Sequence, residues 1–279
     1  MKKNNGSTKI GFGLEHKPPS KKMLEQLYRR YNSRRWVHPD PLEFLYHYED
    51  PEDREIVGFI ASSLAYGRVA RILVSVGGVL DPMGRSPARF LDDSLPEQLI
   101  SRFESFVHRF TTGFELALML IGLKQVRERF GSLQSCFLKG YSRSDDTVIP
   151  ALGWLISEIG KTTDSRCSPN SLLPLPERGS ACKRHHLFLR WMVRRDVVDP
   201  GGWSVVNPAK LVVPLDTHMY RICSSWGFTA RKGPGGTAAL DITRAFRKIT
   251  PDDPVRYDFA LTRLGIRKDP DAQILFCGR

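Results

Sequence analysis

The stretch Val212-Val213-Pro214-Leu215-Asp216-Thr217-His218-Met219-Tyr220-Arg221-Ile222-Cys223 joins an apolar run and a proline to one carboxylate at the start of an amphipathic helix. Met219, Ile222, Cys223 and Trp226 recur at i, i+3, i+4 and i+7, the spacing of a buried helical stripe. Gly227 follows as a stop signal. Asp216 therefore falls at the helix N-cap, where backbone N–H groups and the helix dipole favour a carboxylate. Capping alone accounts for most aspartates so placed. Chemistry at Asp216 requires a partner elsewhere in the chain.

Helical spacing continues over most of the sequence. Met23, Leu24, Leu27 and Tyr31 make a first stripe, and a short helix is predicted near Leu42 to Tyr48. Asp50-Pro51-Glu52-Asp53 reads as a helix start, with proline at the first helical position and acids in the first turn. Further helices are predicted near 69–80, 95–110, 114–130, 147–159, 182–194, 238–248 and 255–264. Leu211-Val212-Val213 is the only β-like run, and no internal repeat occurs. Proline and glycine cluster at 168–179, 200–208 and 231–236, which marks loops. The fold class is all-α.

The chain of 279 residues suffices for one large domain or two small ones, and a hydrophobic content of 41% is that of a globular protein. Residues 1–20 are polar and basic and read as a loose arm. The formal charge is +12, and from Glu177 to Arg279 there are 18 Lys and Arg against 10 Asp and Glu. That balance favours a polyanionic partner. A membrane surface is the competitor, but no sustained basic amphipathic stretch supports it. The longest apolar run, Leu116 to Leu123, is far short of the roughly 20 residues a membrane span needs. The start has no apolar segment of the signal-peptide kind. The five cysteines (Cys136, Cys167, Cys182, Cys223, Cys277) form no C-x-x-C pair, so neither a disulfide framework nor a zinc ribbon is expected, and a reducing cytoplasm is. His185-His186 point about 100° apart on a helix and make a poor metal pair. No metal or cofactor is expected.

Pro214-Leu215-Asp216-Thr217-His218 followed by Arg221-Ile222-Cys223 resembles the catalytic aspartate segment of the helix-hairpin-helix DNA glycosylases, the endonuclease III-like superfamily. The resemblance covers roughly Leu172 to Leu264. In that superfamily the aspartate works beside a lysine just after a glycine-containing hairpin. The matching lysine here is Lys183, after Pro174-Leu175-Pro176-Glu177-Arg178-Gly179-Ser180-Ala181-Cys182. Two features depart from the usual pattern. Lys183 lies four residues after Gly179 rather than two, and 33 residues separate it from Asp216. The long interval looks more like the archaeal 8-oxoguanine glycosylase branch and a related bacterial family without an assigned function. The four-cysteine iron–sulfur loop of many relatives is absent, only Cys277 standing near the C-terminus.

The resemblance implies two helical subdomains facing each other across a cleft. One would comprise 21–51 with 206–279 and carry Asp216; the other, 52–205, would carry the hairpin and Lys183. It implies base-excision repair of duplex DNA by a monomer, with N-glycosylase and AP-lyase activity, and likeness to the archaeal branch makes oxidised guanine the leading substrate. A neutral Lys183 amine would attack the sugar, and Asp216 would stabilise the positive charge that develops. A cation at a helix's first turn meets the positive dipole end, and partial burial also disfavours its charge. The bland reading of Lys183 is a surface lysine whose stem covers apolar neighbours. Two other readings stand beside the lyase: a DNA- or RNA-binding protein that keeps the scaffold without catalysis, and a monofunctional glycosylase.

Further residues are singled out for roles around that pair. His218 is expected to orient Asp216 or to be a packed core histidine. Gly179 and Ser180 are expected to present backbone N–H groups to phosphate, as family hairpins do. Arg184 is expected to face solvent or phosphate, as are Arg190, Arg194 and Arg195. Arg68, Arg231 and Lys232 are further DNA-contact candidates. Tyr66 is divided equally between probing the duplex and core packing. Trp191 and Trp203 are candidates to stack on an extruded base, against the default that large aromatics are core.

Overall fold

The computed structural model describes residues 18–161 and 170–267. Cys167, Cys277, the tail of the expected 206–279 subdomain and nearly all of the expected arm lie outside the described residues. Ser20 caps α1 (Lys21–Tyr31), its hydroxyl accepting the Met23 N–H, and Leu24 and Tyr31 are buried. The short helix expected near Leu42 forms as a 3-10 turn, Pro41–His47, capped by Asp40. The Asp50-Pro51 start is realised in α2 (Pro51–Ser63), where Asp50 accepts the Glu52 N–H at 2.8 Å. After α3 (Val69–Leu80) come two seven-residue helices, α4 (Pro87–Asp93) and α5 (Pro96–Arg102). Then follow α6 (Gly113–Phe130), α7 (Leu133–Lys139) and α8 (Ile149–Gly160). The last four helices are α9 (Lys183–Val193), α10 (Thr217–Ser225), α11 (Gly236–Ile249) and α12 (Asp258–Arg267).

Three expectations need correction. The helix expected to run from Leu95 to Phe110 stops at Arg102. The chain then pairs β1 (Val107–His108) antiparallel with β2 (Thr111–Thr112) through a two-residue turn. Arg109 takes a positive φ of 56° there. Helix α6 can begin at once only because residue 113 is glycine: a Cβ there would lie 1.8 Å from the Phe103 carbonyl oxygen. Second, Leu211-Val212-Val213 is buried but joins no ladder. Its backbone is met by a side chain instead, the Val213 N–H donating to Thr243 Oγ1 at 3.0 Å. Third, α4 and α7 went unforeseen. Each is too short to show a full stripe, although Pro87 and the Ser132 cap, which accepts the Ser135 N–H, mark their starts.

Helices α2 and α9 pack together, α6 packs on α5, α7 and α8, and α12 packs on α1 and α10. The contact of α12 with α1 is clasped by Glu25, whose carboxylate accepts from Arg256 and from the Tyr257 hydroxyl. Buried leucine, isoleucine and phenylalanine side chains from all of these helices merge into one core. Among the described residues no helix is long and apolar enough to cross a membrane.

Candidate active site

Two capping geometries bring the key side chains together. The 3-10 turn Pro176–Arg178 ends at Gly179, and Cys182 takes a left-handed conformation (φ 42°), so Lys183 becomes the first residue of α9. The Cys182 thiol is buried and donates to the Pro174 carbonyl at 3.3 Å, and burial raises its pKa. It is therefore a packing group rather than a nucleophile. On the other side, Pro214-Leu215 ends the buried extended run and Asp216 caps α10. Its Oδ1 accepts the Met219 N–H at 2.7 Å. Its Oδ2 lies 3.2 Å from Lys183 Nζ. The two carboxylate oxygens thus have separate duties, one held by the helix and one turned to the lysine. Lys183 keeps 34% and Asp216 27% of its side chain exposed, so both remain accessible.

The pair stands in a cleft of about 590 Å³ lined also by Asp40, Tyr66, Gly67 and Asp258. Behind it the hairpin is locked to α11: Gly236 donates its N–H to the Gly179 carbonyl at 3.1 Å. Seven residues after Lys183 on α9, Arg190 also reaches the cleft. It bonds Asp199 at 3.2 Å and Asp258 Oδ2 at 2.5 Å. Burial alone would lower the Arg190 pKa, but the Asp199 and Asp258 carboxylates outweigh it and hold the guanidinium charged. The second oxygen of Asp258 is buried with no donor. In the sequence Asp258 looks only like an acid in a helix's first turn, so nothing there marked it out.

The rim is aromatic. The Tyr66 hydroxyl meets the His108 carbonyl at 2.8 Å and Thr111 Oγ1 at 2.6 Å. Its ring stacks on the exposed Phe110, centroids 5.0 Å apart, and the Arg184 guanidinium lies 4.9 Å from its centroid. Tyr66 thus packs at the hairpin and lines the cleft at once.

Several residues sit elsewhere than expected. Trp191 and Trp203 are each 1% exposed and line no part of the cleft, so neither offers a face for base stacking. Trp203 instead donates to Glu55 at 3.1 Å. Arg184 does not face solvent: it donates to the Ser63 carbonyl at 2.5 Å and to the Ser171 carbonyl. Arg190 and Arg194 are buried in ion pairs, and only Arg195 of the four is exposed. Gly179 spends its N–H on the Pro176 carbonyl at 3.0 Å, which withdraws it from phosphate binding, and Ser180 Oγ accepts the Cys182 N–H. Arg231 is exposed and paired with Asp241 at 3.2 Å, while Lys232 and Arg68 are exposed. His218 makes no hydrogen bond to Asp216. Its Nε2 is buried without a partner, and burial lowers its pKa against the opposing pull of Asp216. It is a partly buried histidine without the hydrogen bonds of a core one. Among the described residues no group of three or more His, Cys, Asp or Glu could hold a metal ion.

Residues 40–267 match the family described as a protein of unknown function (DUF2400). The chain belongs to this family. The match spans Asp40, Tyr66, Lys183, Asp216 and Asp258, so every residue lining the cleft except Pro39 lies within the matched region. No curated protein and no solved structure matches the chain.

Proposed function

We propose that this protein is a DNA base-excision enzyme, an N-glycosylase with AP-lyase activity built on a helix-hairpin-helix glycosylase-like fold. The observation that carries the reading is Lys183 Nζ at 3.2 Å from Asp216 Oδ2 across an open cleft. Residues 33 positions apart, each at the first turn or cap of its own helix, have no local structural reason to meet. The net charge of +12 suits a polyanionic substrate.

An extruded nucleotide would enter the cleft. Asp216 Oδ2 takes the proton of the Lys183 ammonium, and the free amine attacks the sugar C1′. The glycosidic C–N bond breaks and the base leaves with that bonding pair, taking up the proton that Asp216 carried and returning Asp216 to its carboxylate. Opening of the sugar ring gives an iminium between Lys183 and C1′. Loss of a proton from C2′ then expels the 3′ phosphate and cuts the strand. Asp216, fixed through Oδ1, stabilises the cationic sugar without having to move. Oxidised guanine is the base that the family resemblance suggests for this cleft.

The test is borohydride trapping on duplexes carrying 8-oxoguanine or an abasic site. The intact protein is expected to give a covalent adduct that Lys183→Ala abolishes and Asp216→Asn strongly reduces. Base release without an adduct would replace the lyase by a water-activating glycosylase. Salt-dependent binding with neither adduct nor base release would leave a binding protein on this scaffold.

A further inference from the structure

A second cavity, of about 610 Å³, adjoins the cleft, and Arg68, Arg71 and Arg109 line it with Ser75 and His108. No carboxylate lines it. All three arginines are exposed, and among the described residues none of their side chains forms an ion pair or a hydrogen bond. In the neighbouring cleft, by contrast, Arg190 is matched by Asp199 and Asp258 and Arg263 by Asp40. Three like charges gathered around one unmatched cavity repel each other unless an anion joins them.

The cluster is assembled from two elements at some cost. Arg68 and Arg71 stand three residues apart and share a face at the start of α3. Arg109 comes from the hairpin turn, where its φ of 56° puts a non-glycine residue in the left-handed region that glycine favours. Such backbone strain concentrates at functional positions. The Arg109 side chain crosses Gly67 so closely that a Cβ there would lie 2.8 Å from Arg109 Cδ, and Gly67 itself has φ 102°. His108 supplies a neutral floor. Its Nε2 must donate to the Tyr66 carbonyl at 3.0 Å, so Nδ1 accepts from the Ser75 hydroxyl at 2.8 Å. The positive charge of the cavity is therefore that of the arginines alone.

Gly67 lines both cavities, which makes it the ridge between them. We infer that the arginine cavity binds one phosphodiester group of the strand whose nucleotide occupies the cleft, an assignment that rests on the nucleic-acid reading above. Guanidinium forks match phosphate oxygens in geometry and charge. A strand with its nucleotide on one side of Gly67 has a neighbouring phosphate available to the other. The cavity supplies positioning and affinity, and the strain at Arg109 serves to aim its guanidinium across Gly67 to the other two.

The test uses the full chain and an abasic-site duplex, with the phosphates flanking the abasic position replaced one at a time by uncharged methylphosphonates. Binding is read by fluorescence anisotropy. At one linkage the intact protein is expected to lose about tenfold in affinity, the size of a lost charged hydrogen bond. The Arg71→Ala/Arg109→Ala variant, folded as judged by its melting curve, is expected to bind the unmodified duplex more weakly and to lose nothing further at that linkage. Equal losses in both proteins at every linkage would overturn the proposal while leaving the nucleic-acid reading intact. No binding of any duplex by the intact protein would overturn both. Inorganic phosphate that binds through these arginines, with duplex affinity indifferent to them, would assign the cavity to a free ion and also overturn it.

Discussion

Helix α9 carries two kinds of ion pair within seven residues. Lys183 at its first position meets Asp216 alone, at 3.2 Å, with both side chains partly open. Arg190 and, one turn on, Arg194 are buried in a lattice of Asp196, Asp199, Asp253 and Asp258. The buried lattice is saturated on the arginine side: each guanidinium is matched by at least two carboxylates, and neither has freedom to change charge. The outer pair has one partner each and access to solvent. The same helix therefore carries a rigid buried anchor and an open, singly paired end. The difference lies in partner number and burial, since the chemical types are nearly the same.

The largest effect is expected from breaking the buried side of this contrast. Asp199→Asn keeps the shape but leaves Arg190 and Arg194 short of a shared carboxylate, and a broken buried pair costs about 3–5 kcal/mol. Denaturant unfolding measures this directly, and a loss below 1 kcal/mol would contradict the anchoring role.

Glu55 sharpens the comparison, because it is a buried carboxylate bonded only by N–H groups. It accepts from the Leu133 and Gln134 backbones and from Trp203, and among the described residues no cation contacts it. Burial pushes its pKa up from 4.5 to about 7 against those hydrogen bonds. The folded state therefore binds the proton more tightly than the unfolded chain does. Stability from this group is greatest below pH 4.5, falls as the pH rises toward about 7, and is level above that. Glu55→Gln, neutral throughout, is expected to remove a decline of up to about 3 kcal/mol over that window. The stability of each protein measured at pH 4.5 and pH 8 checks it: a constant difference between the two would refute the shift.

The smallest stability effect belongs to the outer pair. Lys183→Ala breaks a partly exposed contact, for which about 0–1 kcal/mol is typical. A melting temperature within a few degrees of the intact protein, together with loss of trapping, would separate chemistry from architecture. A severe loss of stability would instead make Lys183 a structural residue.

Much of the scaffold was legible because it is written in local periodicity and caps. The Asp50-Pro51 start, the limits of α3 and the Met219–Trp226 stripe depend on neighbours within a turn or two, and they formed as read. Where contacts from far along the chain decide, local patterns failed, and the meeting of Lys183 with Asp216 was expected only through the family resemblance. The hairpin at 107–112 exists because Tyr66 and Ser75 reach it from α2's end and α3. The tryptophans were misplaced because an aromatic's exposure depends on what packs over it, and Glu55 arrives from 148 residues away to hold Trp203.

The sequence by itself determined that the chain is helical, that Asp216 caps a helix, and that positive charge predominates. These follow from short-range spacing and composition, which need no fold to be read. Only the tertiary structure decided how close Lys183 comes to Asp216, that Asp258 pairs with Arg190 at the wall of their cleft, and that three arginines gather beside it. Each of those juxtapositions joins residues tens of positions apart. Such distances are set by how helices pack and where a chain reverses, and no local pattern encodes them.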